Sequence, residues 1–353
     1  MPIQLNNLAR RKRSARNMPP VLLVYNLDRT WPPHDIHEAV TETEKLGRAM
    51  RRQGHSVTVI QVCDADLPLR LKPYDPDDWI VFNWCEGLPG VDHSEAVAAR
   101  MIADMGFVYT GATPEALSAN WHKQQIKTLL QHAGVATPHW QIYENTSADN
   151  WDCFPAIVKL ANEHCSLGVT TESVVFNRKE LKQRIRYVLE KFKQPALVED
   201  FIDGREFHVS LWGNDNITML PPVEMDFSAL KNIQDRLCTH GAKFDPNSLH
   251  YRKIITRFKA KLSATEYNDL EKTAVQAYRT SGCRDYARID IRLRDGIFYV
   301  LDTNANTDLT SEASTACAAA NAGYSYGAIG SRIVRLAAER HPLFGNGKLS
   351  LGF

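Results

Sequence analysis

Arg288, Asp290, Asp302 and Asn304 place two acids, an amide and an arginine within a short stretch of this 353-residue chain. Such oxygens suit Mg²⁺, and Mg²⁺ held by a few protein carboxylates usually serves a nucleotide's phosphates. Ile289, Ile291 and Leu293 alternate with Arg288, Asp290 and Arg292, the period of a strand with one buried face. Asp295-Gly296 marks a turn. A two-residue loop would put Asp290 and Asp302 on opposite faces. A three-residue loop, Arg294 to Gly296 with glycine left-handed, reverses that parity. The three-residue loop is preferred because it sets Arg288 opposite Asp302 and brings Asp290 within diagonal reach. It also gathers Ile289, Ile291, Leu293, Ile297, Tyr299 and Leu301 on the other face. Taken alone, the same pattern equally describes a hairpin with a solvated polar face.

Lys159 lies near the end of the apolar run Ala156-Ile157-Val158-Lys159-Leu160, ahead of a polar loop, Glu163 to Gly168, that contains Ser166. A lysine beside a small-residue loop can contact phosphate together with backbone N–H groups. Many strands also simply end in lysine. Leu197-Val198-Glu199-Asp200-Phe201-Ile202, then Gly204-Arg205-Glu206-Phe207, reads as a strand leaving into a short linker. Such a linker can offer backbone groups to an adenine edge, and Glu206 can accept from ribose hydroxyls. An ordinary surface acid is the other reading of Glu206. The chain has no G-x-x-x-x-G-K-[ST] and no G-x-G-x-x-G, which disfavours the usual mononucleotide and dinucleotide folds.

The elements that must position these residues follow from the rest of the chain. Residues 21–25, 57–62 and 79–83 read as strands, with helices near 37–53 and 94–105. Strands alternating with helices indicate a small parallel sheet covered on both faces. Residues 83–92, with Glu86, Gly87 and Gly90, lie at a strand's carboxyl end, where such sheets bind ligands. A tight turn needing glycine accounts for them as well. Beyond Pro114, one helix is expected through Lys123 to His132, others near 178–193, 264–281 and 325–339, and a long irregular stretch over 225–263.

The length allows two or three domains with their own cores. A net charge of +1 gives no global attraction to nucleic acid or membrane, and neither is an expected partner. Hydrophobic content of 44% and charged content of 24% are those of a globular protein. No run is long enough to span a bilayer, and no secretory signal is visible. The seven cysteines include no C-x-x-C pair, which argues against a zinc site or disulfide framework and fits a reducing, cytoplasmic setting. Arg10, Arg11, Lys12, Arg13 and Arg16 make residues 1–18 a basic tail. Disorder is the expected state, and a targeting or nucleic-acid arm is the alternative.

Lys123, Lys159, the 199–206 linker, Arg288, Asp290, Asp302 and Asn304 occur in an order that resembles the ATP-grasp enzymes. More closely, the chain resembles the D-alanine–D-alanine ligase family from about residue 79 to residue 314. The likeness is strongest in Tyr109-Thr110-Gly111, Ile157-Val158-Lys159, Leu197-Val198-Glu199, Gly204-Arg205-Glu206-Phe207, Arg288-Ile289-Asp290 and Leu301-Asp302-Thr303-Asn304, with Thr307 and Thr310. The implied fold class is α/β: an ATP-grasp fold of two α+β subdomains sandwiching ATP, preceded by a Rossmann-like parallel α/β N-terminal domain. The expected units are 19–112, 113–195 and 196–345.

The resemblance implies ATP and two Mg²⁺ ions, or Mn²⁺, as cofactors. It implies that Lys123 and Lys159 contact phosphates. Glu199, Phe201 and Ile202 would hold adenine, and Glu206 the ribose. Asp290, Asp302 and Asn304 would ligate the ions, and Arg288 would stabilise a tetrahedral oxyanion. Residues 241–244 look like the family's mobile flap, with Lys243 reaching the transferred phosphoryl group, and Ser166 joins the catalytic set. The implied reaction links small-molecule carboxylate and amine substrates through an acyl phosphate. A homodimer through the N-terminal domain is implied as well.

The amino-acid pocket departs from the family. Its N-terminal glycine-serine-glutamate signature is missing, and Asn26 to His34 stands in its place. Glu38 offers a substitute partner for the amine. Cys165 falls where the family has a substrate-orienting serine, and Phe244 replaces a tyrosine. Asp308 stands for a glycine near the second substrate, Ala313 for a serine, and Asp302 for the usual glutamate. Each lost buried hydrogen-bond partner costs a D-alanine substrate on the order of 1–3 kcal/mol. The expectation is an enzyme that keeps ATP activation but joins substrates other than two D-alanines. A true D-alanine–D-alanine ligase and a nucleotide-binding relative without ligation are the alternatives. Trp31, His34 and Trp84 would shape a roomier site or serve as core and rim.

Overall fold

The computed structural model describes residues 18–345 except 149, 164–165, 240 and 243–246. Lys243 and Cys165, both expected at the site, lie outside the described residues, as does most of the basic tail. The first unit holds β1 (Val21–Asn26), α1 (Pro33–Arg52), β2 (Val57–Val62), α2 (Leu67–Leu71), β3 (Ile80–Trp84), α3 (Glu95–Asp104) and β4 (Val108–Tyr109). Its sheet is parallel, in the order β2-β1-β3-β4. Val21 to Val24 are all buried, as a strand covered on both faces requires. α1 opens on Pro33, whose fixed φ and missing N–H suit a first turn.

The helix expected through Lys123 is two helices, α4 (Pro114–Trp121) and α5 (Lys123–His132). His122 is extended between them, so Lys123 stands in the first turn of α5. An antiparallel sheet follows, from β5 (Trp140–Tyr143), β6 (Ala156–Leu160), β7 (Val174–Val175) and, after α6 (Arg178–Phe192), β8 (Ala196–Asp200). Its order is β5-β8-β6-β7. β8 therefore belongs with the strands before it, and this sheet runs past the boundary expected at residue 195.

The last sheet contains β9 (Arg205–Gly213), β10 (Thr218–Met219), β11 (Val223–Asp226), β12 (Ile255–Arg257), β13 (Asp285–Arg294) and β14 (Ile297–Asn304). The order is β12-β11-β9-β13-β14, with β10 on β9. A short helix, α7 (Leu249–Lys253), precedes β12, and α8 (Ala264–Thr280) precedes β13. Phe207, Val209 and Leu211 of β9 share a core with Ile289, Ile291, Phe298, Val300 and the inner face of α8. α9 (Ser314–Asn321) and α10 (Tyr326–Ala338) end the described chain, and α10 packs back on β1, β3 and α1.

The β13–β14 turn has two residues, not three. Arg294 pairs with Ile297, and Asp295 and Gly296 are both left-handed, with φ 53° and 76°. A bulge restores the parity instead. Asp290 pairs with Asp302 but Ile291 pairs with Val300, which leaves Leu301 without a partner across the ladder. Arg288 thus opposes Asn304 rather than Asp302. The inward residues of β14 are Phe298 and Val300 rather than Ile297, Tyr299 and Leu301.

Candidate active site

Alternate positions of one strand share a face, so β13 presents Arg288, Asp290 and Arg292 together. On β9 their partners are Ser210, His208 and Glu206. On β14, Asn304 and Asp302 oppose Arg288 and Asp290. The sheet therefore carries a polar ladder on one face and an apolar core on the other.

The middle sheet and α5 bring cations to this ladder. Lys123 Nζ donates to Asp302 Oδ1 at 2.6 Å. Lys159 Nζ, from β6, lies 2.7 Å from Glu199 Oε2 and 3.7 Å from Asp302 Oδ2. Lys127, one helical turn after Lys123, pairs with the other oxygen of Glu199 and donates to Thr137 Oγ1 at 2.8 Å. Glu199 is 1% exposed and Lys127 2%. Burial pushes the Asp302 carboxyl up, but Lys123, Lys159 and Lys127 outweigh it and hold Asp302 well below the usual range. Burial likewise opposes ionisation of Glu199, and Lys127 and Lys159 reverse that. Burial pulls the Lys159 ammonium down, and Glu199 with Asp302 drives it well above the ordinary lysine value.

Arg288 grips Asp290 with a fork, Nε to Oδ1 at 2.7 Å and Nη2 to Oδ2 at 3.0 Å. Its Nη1 also reaches Thr307 Oγ1 at 3.3 Å. Asn304 Nδ2 donates to Asp290 Oδ2 at 3.1 Å. Two carboxylates directly opposed on a hairpin, with an amide beside them, form the hard oxygen set that Mg²⁺ takes. Each acid here is matched by a lysine or arginine, which offsets its charge. Five cations (Lys123, Lys127, Lys159, Arg288, Arg292) meet four acids (Glu199, Glu206, Asp290, Asp302).

Of the nucleoside residues expected from sequence, Glu199 lies within β8 between Lys127 and Lys159, and Phe201, Ile202 and Glu206 follow beyond it. Phe201 and Ile202 are buried, and Glu206 is paired with Arg292. Burial pushes Glu206 up, while Arg292 and then His208 pull it well below the carboxylate range. Glu206, His208 and Cys238 hold donor atoms within 4.8 Å of one another. Arg292 already neutralises Glu206, so a second cation at this trio would meet a fixed positive charge.

Other expected residues lie elsewhere or do something else. Ser166 is left-handed (φ 59°) and its Oγ donates to the Cys238 carbonyl at 3.0 Å. Asp308 accepts from Thr310 N at 2.7 Å and Thr310 Oγ1 at 2.9 Å, shaping its own turn. Glu38 is exposed on α1. The α1 acid that reaches the loop after β14 is Glu42, which accepts from Ser311 N at 2.7 Å. Lys127, His208, Arg292 and Glu42 are the residues that sequence reasoning missed. Three of them carry a signal in hindsight: Lys127 is spaced i+4 from Lys123, His208 i+2 from Glu206, and Arg292 i+2 from Asp290.

A family model described as the D-ala D-ala ligase C-terminus matches residues 129–335. An uncharacterized protein, y4sG, of Sinorhizobium fredii is 33% identical over 329 residues, covering 90% of this chain and 91% of its own. The D-alanine–D-alanine ligase of Carboxydothermus hydrogenoformans is 28% identical over 308 residues, covering 84% and 92%. Among solved structures, a D-alanine–D-alanine ligase of Bacillus anthracis superposes with a TM-score of 0.68 at 20% identity, covering 90% and 97%. At that identity the superposition speaks for the fold, which is the ATP-grasp fold.

Proposed function

This chain belongs to the D-alanine–D-alanine ligase family and is a C–N-bond-forming ligase of the ATP-grasp fold, and on that premise we propose that it joins a carboxylate and an amine other than two D-alanines. ATP is the co-substrate, converted to ADP and phosphate. The observation that carries the reading is the convergence of Lys123, Lys159, Arg288, Asp290, Asp302 and Asn304 from four separate elements. Residues 19–112, 113–195 and 196–345 are proposed as the working units, with β8 added to the middle one. A homodimer is part of the same proposal.

The chemistry follows from the side chains. A carboxylate is a poor electrophile, so the γ-phosphoryl group is first transferred to it, and the amine then displaces phosphate from the acyl phosphate. Lys123 and Lys159 turn from Asp302 to phosphate oxygens when nucleotide enters. Glu199 keeps Lys159 charged and aimed from behind. Asp290, Asp302 and Asn304 would hold Mg²⁺, which supplies charge neutralisation at the transferring group when bound. Arg288, freed from Asp290, faces the carbonyl oxygen on which negative charge develops during amine attack. Ser166 sits on the glycine-bearing loop that would cover the phosphates.

The altered substrate rests on the residues around the amino-acid end. Asp308 and Ala313 stand where the family has a glycine and a serine, and no glycine-serine-glutamate signature follows β1. The test is a screen of amino acids and carboxylic acids for ADP release, with products identified by mass. The expected result is ADP release that needs both a carboxylate and an amine and is fastest with an amine other than D-alanine. D-alanine alone matching every other amine would overturn the substrate proposal. Nucleotide turnover indifferent to any acceptor would overturn ligation.

A further inference from the structure

Arg292 has no part in the transfer chemistry, yet it is only 3% exposed and fully engaged. Nε donates to Glu206 Oε2 at 2.7 Å, Nη1 to the Ile202 carbonyl at 2.8 Å, and Nη2 to the Arg236 carbonyl at 2.5 Å. Its guanidinium carbon lies 5.0 Å from the Phe201 ring centre and 5.1 Å from that of Phe227. The three acceptors come from three segments: β9, the linker after β8, and the chain between β11 and α7. Arg236 in turn grips Asp203 of the linker at 2.8 and 3.0 Å. A planar fork can serve three acceptors in three directions, which a lysine ammonium on a flexible stem does poorly.

The consequence falls on Glu206. One of its oxygens is committed to Arg292. The other, Oε1, lies 3.6 Å from His208 Nε2, and His208 is itself fixed through Nδ1 to Ser314 Oγ at 2.9 Å. Glu206 is thus held in one orientation with a single oxygen left for a ligand hydroxyl.

We propose that Arg292 is a positioning residue that sets ribose recognition, by orienting Glu206 and tying the 201–203 linker to the chain around Arg236. The proposal deepens the nucleotide reading above and rests on it. It predicts that discrimination between a ribose nucleotide and its 3′-deoxy analogue depends on a residue that touches neither.

The test uses the full chain, with ADP and 3′-deoxyADP titrated by calorimetry and ATP and 3′-deoxyATP compared in turnover with the best acceptor pair. The wild type should prefer the ribose form by roughly tenfold or more, the value of a hydrogen bond to a charged group. Arg292→Met should lose most of that preference and raise KM for ATP by a similar factor, with kcat little changed. Arg292→Lys should fall between the two, and it carries the test if Arg292→Met does not fold. Glu206→Gln should abolish the preference directly. A preference retained in Arg292→Met, or in Arg292→Lys if that variant alone folds, would overturn the proposal while leaving the nucleotide site intact. Wild-type protein that binds ADP and 3′-deoxyADP equally would also overturn it. Binding of neither nucleotide would bring down the parent reading with it.

Discussion

The site's acids and cations hold one another in charged form, Glu199 among them. It is buried between Lys127 and Lys159, and removing one partner of a buried pair leaves an uncompensated charge. Lys127→Met should therefore lower stability by about 3–5 kcal/mol, read as a shifted urea midpoint. The pH response has two arms. Asp302, Glu199 and Glu206 have depressed values in the folded state, so their contribution is full above pH 4.5 and is lost as pH falls below that. Glu95 behaves oppositely. Burial and the nearby Glu86 push it up to about 8, against a hydrogen bond from Asn306. The folded chain then keeps a proton that the unfolded chain gives up above 4.5, so stability declines as pH rises from about 4.5 to 8. Denaturant midpoints across that window should slope downward in the wild type and less so in Glu95→Gln. Asp290 and Asp302 were legible because acids alternating with apolar residues on a strand stand out, whereas Lys123 and Lys159 became so only through their order in the family resemblance. Arg292 was less so, because Glu206 lies on another strand and only the register pairs them, and His208 was fixed by Ser314, which is far away in sequence.

At the level of elements, the hairpin shows what alternation can and cannot tell. The polar and apolar sets of β13 were readable from period two alone. The turn was not, since Asp-Gly fits both loop lengths, and the bulge at Leu301 has no composition signal. Both routes bring Asp290 and Asp302 to one face, although the expected register differs from the observed one. The middle of α4 and α5 was misread for a similar reason: nothing in Trp121-His122-Lys123 announces an extended residue. The linker is tighter than its sequence suggests. A Cβ at Gly204 would run into the Leu293 carbonyl. Gly204→Ala should force the linker off β13, with a stability loss of roughly 1–3 kcal/mol. Thermal unfolding and nucleotide titration should both register it.

Across the whole molecule, the motif Tyr109-Thr110-Gly111 turns out to be a joint. Asp285, with no exposed surface, takes two bonds from Arg340 at 2.7 and 2.8 Å and one from Gly111 N at 2.9 Å. Arg340 also reaches the Tyr109 carbonyl at 2.9 Å. Gly111 is left-handed (φ 90°), and a side chain there would strike Asn306. One buried acid thus fastens the first sheet to the start of β13 and to the end of α10. Asp285→Asn should cost about 3–5 kcal/mol and loosen the first unit from the rest, seen as faster proteolysis and a lower denaturant midpoint. The parallel first sheet was plain from its strand-helix alternation, whereas this fastening joins residues 55 to 231 positions apart and leaves no local trace. Among the described residues, no helix is long and apolar enough to cross a membrane.

β13 also works as a ruler. Its rise of roughly 3.3 Å per residue separates Arg288 from Arg292 by about 13 Å along a rigid inner strand. On the proposed reading, the end that would meet the sugar and the end that would meet the new bond are graduations on the same rod. On that reading, a nucleotide with fewer phosphates would rest on one mark without spanning to the other.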